Sequence, residues 1–304
     1  MKKLIAIILT LFTVRGLAQQ DVMVSQYMFN GLFINPAYAG SHEYVSSSLL
    51  HRNQWVNFSG SPKTALLAVD GLLPGRNVGL GLIVAHDRIG VTEQTDIYGN
   101  YAYQLRLGEG KLALGLKAGA SNYTYRNDKL VVWDDNDQLF TGNNSVWLPK
   151  FGGGAYYFAE LWYAGIAVPN LLAYDPERTF GLDVNEVSSL RRHYYANAGY
   201  VWVVNSILKL KPSFLLKYEP TAPVQVDLNL HLLFVDHYWV GASYRTGDAV
   251  SVMAEYQTNN RFRVGYAYDI TTSRIRKYSA GTHEIMIGYD FGKDKIKIKT
   301  PRYF

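Results

Sequence analysis

Val224–Leu233 reads VQVDLNLHLL, and its alternation decides the fold. Val224, Val226, Leu228, Leu230 and Leu232 take one face, and Gln225, Asp227, Asn229 and His231 take the other. Successive side chains of an extended strand point to opposite faces, so this period of two predicts a strand with one apolar and one polar surface. The pattern recurs along the chain. In Ile97–Leu107, Ile97, Tyr101, Tyr103, Leu105 and Leu107 oppose Tyr98, Asn100, Gln104 and Arg106. In Leu208–Glu219, Leu208, Leu210, Phe214, Leu216 and Tyr218 oppose Lys209, Lys211, Ser213, Lys217 and Glu219. In Phe262–Asp269, Phe262, Val264, Tyr266 and Tyr268 oppose Arg263, Gly265, Ala267 and Asp269. Each stretch is about ten residues, the length that crosses a bilayer when tilted.

A soluble β-sandwich also alternates, but three features favour a membrane barrel. Sandwich strands usually run about 5–6 residues, and these are longer. Tyr101, Tyr103, Tyr218, Tyr244, Tyr256, Tyr268 and Tyr289 recur near strand ends on the apolar side, as an aromatic girdle requires. The loops also sort by parity. The pattern predicts about fourteen strands, an even number as bacterial barrels require. They fall near 44–57, 62–73, 77–88, 92–107, 111–124, 147–158, 161–169, 192–204, 207–219, 223–234, 237–246, 249–257, 261–270 and 282–292. Connections after even-numbered strands are short: Pro74-Gly75-Arg76, Gly108-Glu109-Gly110, Ala159-Glu160, Asn205-Ser206, Asp236 and Asn259-Asn260. The long ones, Tyr125–Val146, Asn170–Arg191 and Thr271–Gly281, follow odd-numbered strands. Short turns on the periplasmic side and long loops outside are the asymmetry of outer-membrane barrels. The fold class is therefore all-β, an antiparallel transmembrane β-barrel with an N-terminal pre-strand segment and a short C-terminal tail.

Composition agrees. Of 304 residues, 48% are hydrophobic and 18% charged, which excludes a disordered chain. The absence of cysteine excludes disulfides, thiol catalysis, thiolate zinc sites and a lipid-modified N-terminal Cys. Residues 1–18 read as a cleaved signal peptide: Lys2 and Lys3, the apolar run Leu4–Val14, then Gly16-Leu17-Ala18. The apolar run is too short for a membrane helix, which needs about 20 residues. Export to the outer membrane follows. The formal charge of +5 falls to +2 once Lys2, Lys3 and Arg15 are removed, and no basic tract suggests nucleic acid.

The polar face defines a lumen. Lys117, Lys209, Lys211, Asp227, Arg245, Glu255, Arg263, Asp269 and Glu284 are expected to point inward as a solvated wall with scattered ion pairs. Pro169 and Pro212 fall within or at the end of strands, and Pro212 predicts a bulge or a weakened ladder bond. Gly152-Gly153-Gly154 reads as a bend or a close approach.

Motifs of catalysis are missing: there is no GxSxG, HExxH or Walker glycine pattern. His51, His86, His193, His231, His237 and His283 are scattered one per strand or turn and read as wall residues. Asp134-Asp135-Asn136-Asp137 lacks the Gly and distal Glu of a calcium loop. Val187–Arg192 and Asn170-Leu171-Leu172 give one long loop apolar content, which suits a cover over the barrel mouth, a partner contact or a self-packed loop. The expectation is a protein that is not an enzyme and holds no cofactor or metal.

One segment stands outside the strand plan. Ser25–Gly40 reads SQYMFNGLFINPAYAG, too rich in Asn, Gly and Pro for a helix interior and too irregular for a strand. Ser25-Gln26-Tyr27-Met28-Phe29-Asn30 and Asn35-Pro36-Ala37-Tyr38-Ala39-Gly40 are followed by His51-Arg52-Asn53-Gln54-Trp55-Val56-Asn57-Phe58 and Gly60-Ser61-Pro62, and the chain ends Pro301-Arg302-Tyr303-Phe304. This combination resembles the PorP/SprF family of the Bacteroidetes type IX secretion system. Gly31 stands where the family often has Pro or another residue, and Asn57-Phe58-Ser59 departs mildly from its commoner GFDG-like run. Neither departure touches Arg52-Asn53-Gln54-Trp55.

The resemblance implies an outer-membrane barrel serving protein export or gliding motility. The implied partners are periplasmic and lipoprotein subunits of the motor ring, the C-terminal domain of a secreted cargo or adhesin, and outer-membrane lipid. The residues themselves suggest how. Rings and amides alternate in Ser25–Gly40, so the segment suits a lumen plug or lining, with Arg52-Asn53-Gln54-Trp55 as its partner. The competing reading is that both motifs serve folding and barrel closure alone. Lys293–Phe304 alternates Lys with Ile and suits either a strand added to a partner's sheet edge or a solvated tail. The chain thus divides into a signal peptide (1–18), a periplasmic or lumen segment (19–43), a barrel (44–292) and a periplasmic tail (293–304). Docking of cargo, or linkage of the motor to the membrane, is the expected role, and a passive channel for small solutes is the alternative.

Overall fold

The computed structural model describes residues 23–42, 44–127, 143–173, 192–220, 222–258 and 261–292. The stretch 1–18 expected to be a signal peptide, Asp134–Asp137, most of Val187–Arg192 and Pro301–Phe304 lie outside these residues.

The strands are β1 (Val45–Asn53), β2 (Lys63–Leu72), β3 (Val78–Ile89), β4 (Thr92–Leu107), β5 (Gly110–Tyr125), β6 (Asn144–Phe158), β7 (Trp162–Ala173), β8 (Tyr194–Tyr200), β9 (Trp202–Val203), β10 (Leu208–Tyr218), β11 (Gln225–Phe234), β12 (Tyr238–Arg245), β13 (Ala249–Thr258), β14 (Phe262–Thr271) and β15 (Thr282–Phe291). Each pairs antiparallel with the strand before and after it in the chain, except that β8 and β9 both pair with β10, and β15 returns to β1 from Val45↔Phe291 to Asn53↔His283. The sheet is therefore closed and has no edge. Closure pairs the two strands that would otherwise be edges, which hydrocarbon demands because it offers no water to a free N–H or C=O.

β8 and β9 are two pieces of one stave, so fourteen staves complete the circle. Both pair with β10 in a single register, Lys217↔Tyr195 through Ser213↔Gly199 and then Leu210↔Trp202. The ladder breaks between them opposite Pro212, which has no N–H to give. The register on the β11 side runs through Pro212↔Leu230 unbroken, so the proline weakens a ladder without making a bulge. The bulge lies instead between β6 and β7, where the register shifts between Phe151 and Gly153. A Cβ at Gly152 would overlap the backbone of Pro169. The bend read from Gly152-Gly153-Gly154 sits there.

Turns at one rim are short, spanning 73–77, 108–109, 159–161, 204–207, 235–237 and 259–261. The other rim carries 54–62, the connection from β10 to β11, 272–281 and the tight connections 90–91 and 246–248; the connections from β5 to β6 and from β7 to β8 lie largely outside the described residues.

The wall is inverted relative to a soluble protein. Leu228 and Leu230 are about half exposed on the outside, at 54% and 50%, while Asp227 and His231 on the opposite face are fully buried. All nine charged residues read as inward-facing are buried. Here the structure corrects the expectation of a solvated wall. Residues 24–40 run inside the barrel and pack against that face, so the lumen is a core. Val24, Tyr27, Met28, Phe29, Leu32, Ile34, Ala37 and Tyr38 form one apolar cluster with Leu50, Leu66, Ile83, Tyr156, Trp239 and Met286 of the wall. Burial of each large apolar side chain is worth about 1.5–3 kcal/mol, which offsets the cost of ordering an irregular segment.

Candidate functional site: an N-terminal segment bound to the inner wall

The segment carries three short 3-10 turns, Tyr27–Phe29, Gly31–Phe33 and Pro36–Tyr38. The last begins at Asn35, whose Oδ1 accepts from the Ala37 amide at 2.9 Å, and Pro36 supplies the fixed φ that suits a first helical position. Met23 lies with His193, Glu219 and Gln225 at the loop rim, and Gly40 lies beside Gly71 and Gly79 at the turn rim. The segment thus runs the height of the barrel before β1 turns back upward.

Its upper end is held by one cation and two anions. Arg52 Nη2 donates to Asp269 at 2.8 Å, and Arg52 Nη1 donates to Glu284 and to Ser25 Oγ, both at 2.9 Å. Ser25 Oγ in turn donates to the Asp269 carboxylate at 2.8 Å. The Ser25 and Gln26 amides each donate to a Glu284 oxygen at 2.8 Å. Arg52, Asp269 and Glu284 are all at most 2% exposed, so each charge depends on these partners. A charge-assisted bond from a main-chain amide is stronger than a neutral one and fixes the backbone's position.

Lower contacts continue the pattern. Asn229 Nδ2 donates to Tyr27 Oη at 2.7 Å, and Asn30 Nδ2 donates to Ser48 Oγ at 2.7 Å. Phe29 meets His231 and Trp239 edge-on at 5.9 Å, and its carbonyl accepts from Arg263 at 3.5 Å. Asn35 Nδ2 donates to the carbonyls of Ala155 (3.0 Å) and Ile166 (3.2 Å) at the bulged pair of strands. Tyr38 meets Tyr156 edge-on at 5.6 Å. Gly40 donates its amide to Asp70 at 2.9 Å and accepts from Gln104 at 2.6 Å. Its φ of +68° is open to glycine at little cost, and a Cβ would lie 2.7 Å from Gly79 Cα. Met28, Pro36 and Ala37 are buried without side-chain hydrogen bonds of their own.

The wall makes room with glycine. A Cβ at Gly79 would overlap the Ala39 carbonyl, one at Gly115 the Ala37 amide, one at Gly154 the Asn35 side chain and one at Gly265 the Gln26 side chain. Four strands therefore lack a side chain where the segment's backbone or amides pass.

Of Arg52-Asn53-Gln54-Trp55, the structure brings only Arg52 to the segment. All three others are half-buried: Asn53 ends β1, and Gln54 and Trp55 shape the first loop, where Gln54 donates its amide to Pro62 and Trp55, at φ 49°, donates its amide to Thr282 Oγ1 at 3.1 Å. Several contact residues escaped sequence reasoning. Asp70 sits on a strand whose inner residues Leu66 and Ala68 are as apolar as its outer ones, so alternation did not mark it. His42, which pairs with Asp70 at 3.2 Å, precedes the first strand and has no parity at all.

The remaining inner charges are also engaged. Asp227 takes Lys217 and Arg245 at 3.2 Å each, and Arg245 reaches Asp248 at 3.2 Å. Lys209 pairs with Asp236 at the turn rim. Lys117 Nζ lies 3.8 Å from the centre of the Tyr98 ring, a cation–π contact. Among the described residues no group of three or more His, Asp or Glu side chains is placed to hold a metal ion.

A closed antiparallel barrel with an apolar exterior and a filled polar interior is a membrane β-barrel. Comparison with known proteins places it further. The family described as "Type IX secretion system membrane protein PorP/SprF" matches residues 16–289, and the chain belongs to that family. It is a family of secretion-system membrane proteins, not of enzymes, and its setting is the outer membrane. No curated protein matches the chain. Among solved structures, the chain is similar to the outer-membrane protein Omp33 of Acinetobacter baumannii, at 11% identity over 82% of this chain and 98% of that one, with a TM-score of 0.47. It is also similar to the KdgM porin in complex with disordered oligogalacturonate (10% identity, 81% and 99% covered, TM-score 0.40) and to a mutant Rh. blastica porin (10%, 82% and 99%, TM-score 0.35). The fold assignment rests on the strand pairing described above.

Proposed function

We propose that this barrel is a closed docking component of the type IX secretion system and not a passive solute channel. The observation that carries the reading is the burial of Ser25–Gly40 against the inner wall, with the Ser25, Gln26 and Gly40 amides bonded to wall carboxylates. A solute channel needs a continuous wet path, and here wall charges meet one another and the segment. In this reading Ser25–Gly40 is a plug and Arg52 its main anchor. The plugged barrel then presents its two rims. On the loop side, Asn53, Gln54 and Trp55 shape a surface for the C-terminal domain of a secreted cargo or adhesin. On the turn side, the plug's exit at Gly40 and the tail with Pro301, Arg302, Tyr303 and Phe304 face the periplasmic and lipoprotein subunits of the motor ring.

Conductance of the purified protein in planar bilayers, paired with co-purification from gently solubilised membranes, tests this. Electrical silence together with recovery of secretion components is the expected result. A stable open conductance of the unmodified protein would overturn the reading in favour of the channel. Deleting Ser25–Gly40 should spare membrane insertion while opening the pore or losing the partners.

A further inference from the structure

The outer surface of the loop rim is not uniform. Around most of it the exposed outward side chains are aromatic or aliphatic: Trp147, Tyr194, Tyr218, Tyr244 and Ile270. One sector, β15–β1–β2–β3, is different. Strand register aligns Tyr268, His283, Asn53, Lys63 and Arg88 in one outward row. A second row, one step deeper, aligns Tyr266, Ile285, His51, Ala65 and His86. Above both rows the 3-10 turn Arg274–Lys277 leaves Arg274, Arg276 and Lys277 exposed. That turn is tied to the first loop by bonds from Ala280 N to Val56 O and from Val56 N to Gly281 O, both 2.8 Å.

Lys63 and Arg88 stand directly opposite each other across β2 and β3, where side chains start about 4.5–5.5 Å apart and like charges repel. The side chains of Lys63, Arg88, Arg274, Arg276 and Lys277 make no ion pair or hydrogen bond to any described residue. The acids of these strands offer no relief, because Asp70, Asp87, Glu284 and Asp290 all point inward and are buried. Lys63 and Arg88 face outward and Arg274, Arg276 and Lys277 are exposed at the same rim; the acid on this face among the described residues is Glu93, opposite Arg88 across β3 and β4 and paired with Arg126 at 3.2 Å, so the sector keeps a net positive charge. Directly beneath these cations Leu49, Leu67, Ile285 and Ile287 are exposed and apolar. An anion that brings its own acyl chains satisfies both halves of the surface. Lys63 and Arg88 lie within strands rather than in loops, at the depth of a headgroup.

We propose that this sector binds the phosphorylated headgroup of a lipid in the loop-side leaflet. Arg88, Arg274 and Arg276 offer planar two-pronged donors to phosphate oxygens, Lys63 and Lys277 add point charges, and Tyr266 and Tyr268 flank the site at the membrane interface.

The full chain in detergent would be titrated with diphosphoryl lipid A and with the same lipid stripped of its phosphates, and bound lipid read by native mass spectrometry. The expected result is preferential binding of the phosphorylated form, weakened by about tenfold or more in the variant K63Q/R88Q/R274Q/R276Q/K277Q, since each cation near a lipid surface adds about 1 kcal/mol. Neutralising Arg76 and Arg106, exposed at the opposite rim, should leave binding unchanged. The paired variant K63Q/R88Q, which keeps the loop intact, should lose several-fold and serves if the fivefold variant fails to fold. Equal binding of both lipid forms by the unmodified protein, or binding of the phosphorylated form by either variant within twofold of it, would overturn the proposal. Displacement by inorganic phosphate at matched concentration would reduce the surface to a free-anion site and overturn its assignment to lipid.

Discussion

Arg52 holds Ser25, 27 residues earlier in the chain, through a 2.9 Å bond from Nη1 to the serine hydroxyl. The same nitrogen reaches Glu284, and its partner nitrogen reaches Asp269. One guanidinium thereby joins the start of the buried segment to β1, β14 and β15, the strands flanking the point where the barrel closes.

Arg52→Met should be costly for this reason. It leaves Asp269 and Glu284 buried without their cation, a loss of about 3–5 kcal/mol for a broken buried pair. Heat-modifiable migration should show a lowered transition temperature, and bilayer recordings should show intermittent openings absent from the unmodified protein. Arg52→Lys keeps the charge but not the two-pronged geometry, and an intermediate effect is expected. An unchanged transition temperature and continued silence in Arg52→Met would show that the segment is held by its apolar contacts alone.

Gly115→Val separates the wall from what it encloses. The new Cβ would overlap the Ala37 amide, whereas Gly99, one strand away and outward-facing, has only Ala118 O within reach at 3.8 Å. Gly115→Val should dislodge the segment and raise protease sensitivity of its residues, and Gly99→Val should do neither. Equal behaviour of the two variants would sink the close-approach argument.

Gly31 and Tyr38 form an internal lock within the segment. A Cβ at Gly31 would lie 2.5 Å from Tyr38 Cδ2. Gly31→Ala should therefore destabilise by about 1–3 kcal/mol, as overpacking does, and its effect should shrink when Tyr38→Leu is already present. A double-mutant cycle with no coupling beyond about 0.5 kcal/mol would contradict the contact.

The absence of native cysteine makes accessibility mapping clean. Ala37→Cys, at a fully buried position, should resist a membrane-impermeant maleimide applied from either side, whereas Ser59→Cys on the exposed first loop should react readily. Adding Gly115→Val should make the cysteine at position 37 reactive. Rapid labelling at position 37 in the otherwise unmodified protein would place the segment outside the barrel.

Much of the barrel was legible in Val224–Leu233 and its counterparts, because the bilayer and the lumen impose opposite chemistry on alternate residues. Fourteen staves, their order and the sorting of the longest loops all follow from a period of two and from turn residues. Strand ends were less legible: β6 begins at Asn144 and β7 extends to Ala173, past Pro169, because a bulge lets the strand continue beyond a missing N–H. The candidate contacts were half legible. In the structure Arg52 meets the segment, whereas Asn53 ends β1 on the outward face and Gln54 and Trp55 lie in the loop that follows, since no sequence signal marks where a strand leaves the wall.

The sequence by itself determined the closed, alternating wall, its inward charges and the irregular segment that precedes it. Only the tertiary structure decided that those charges line a core. Alternation reports that a face is polar, and it cannot report whether water or protein meets that face. Glu284 and Ser25 lie 259 residues apart, and nothing local to either announces the other. Their meeting depends on the circle closing, on glycines that admit the segment's backbone, and on Arg52 arriving between two acids that would otherwise remain buried without their cation.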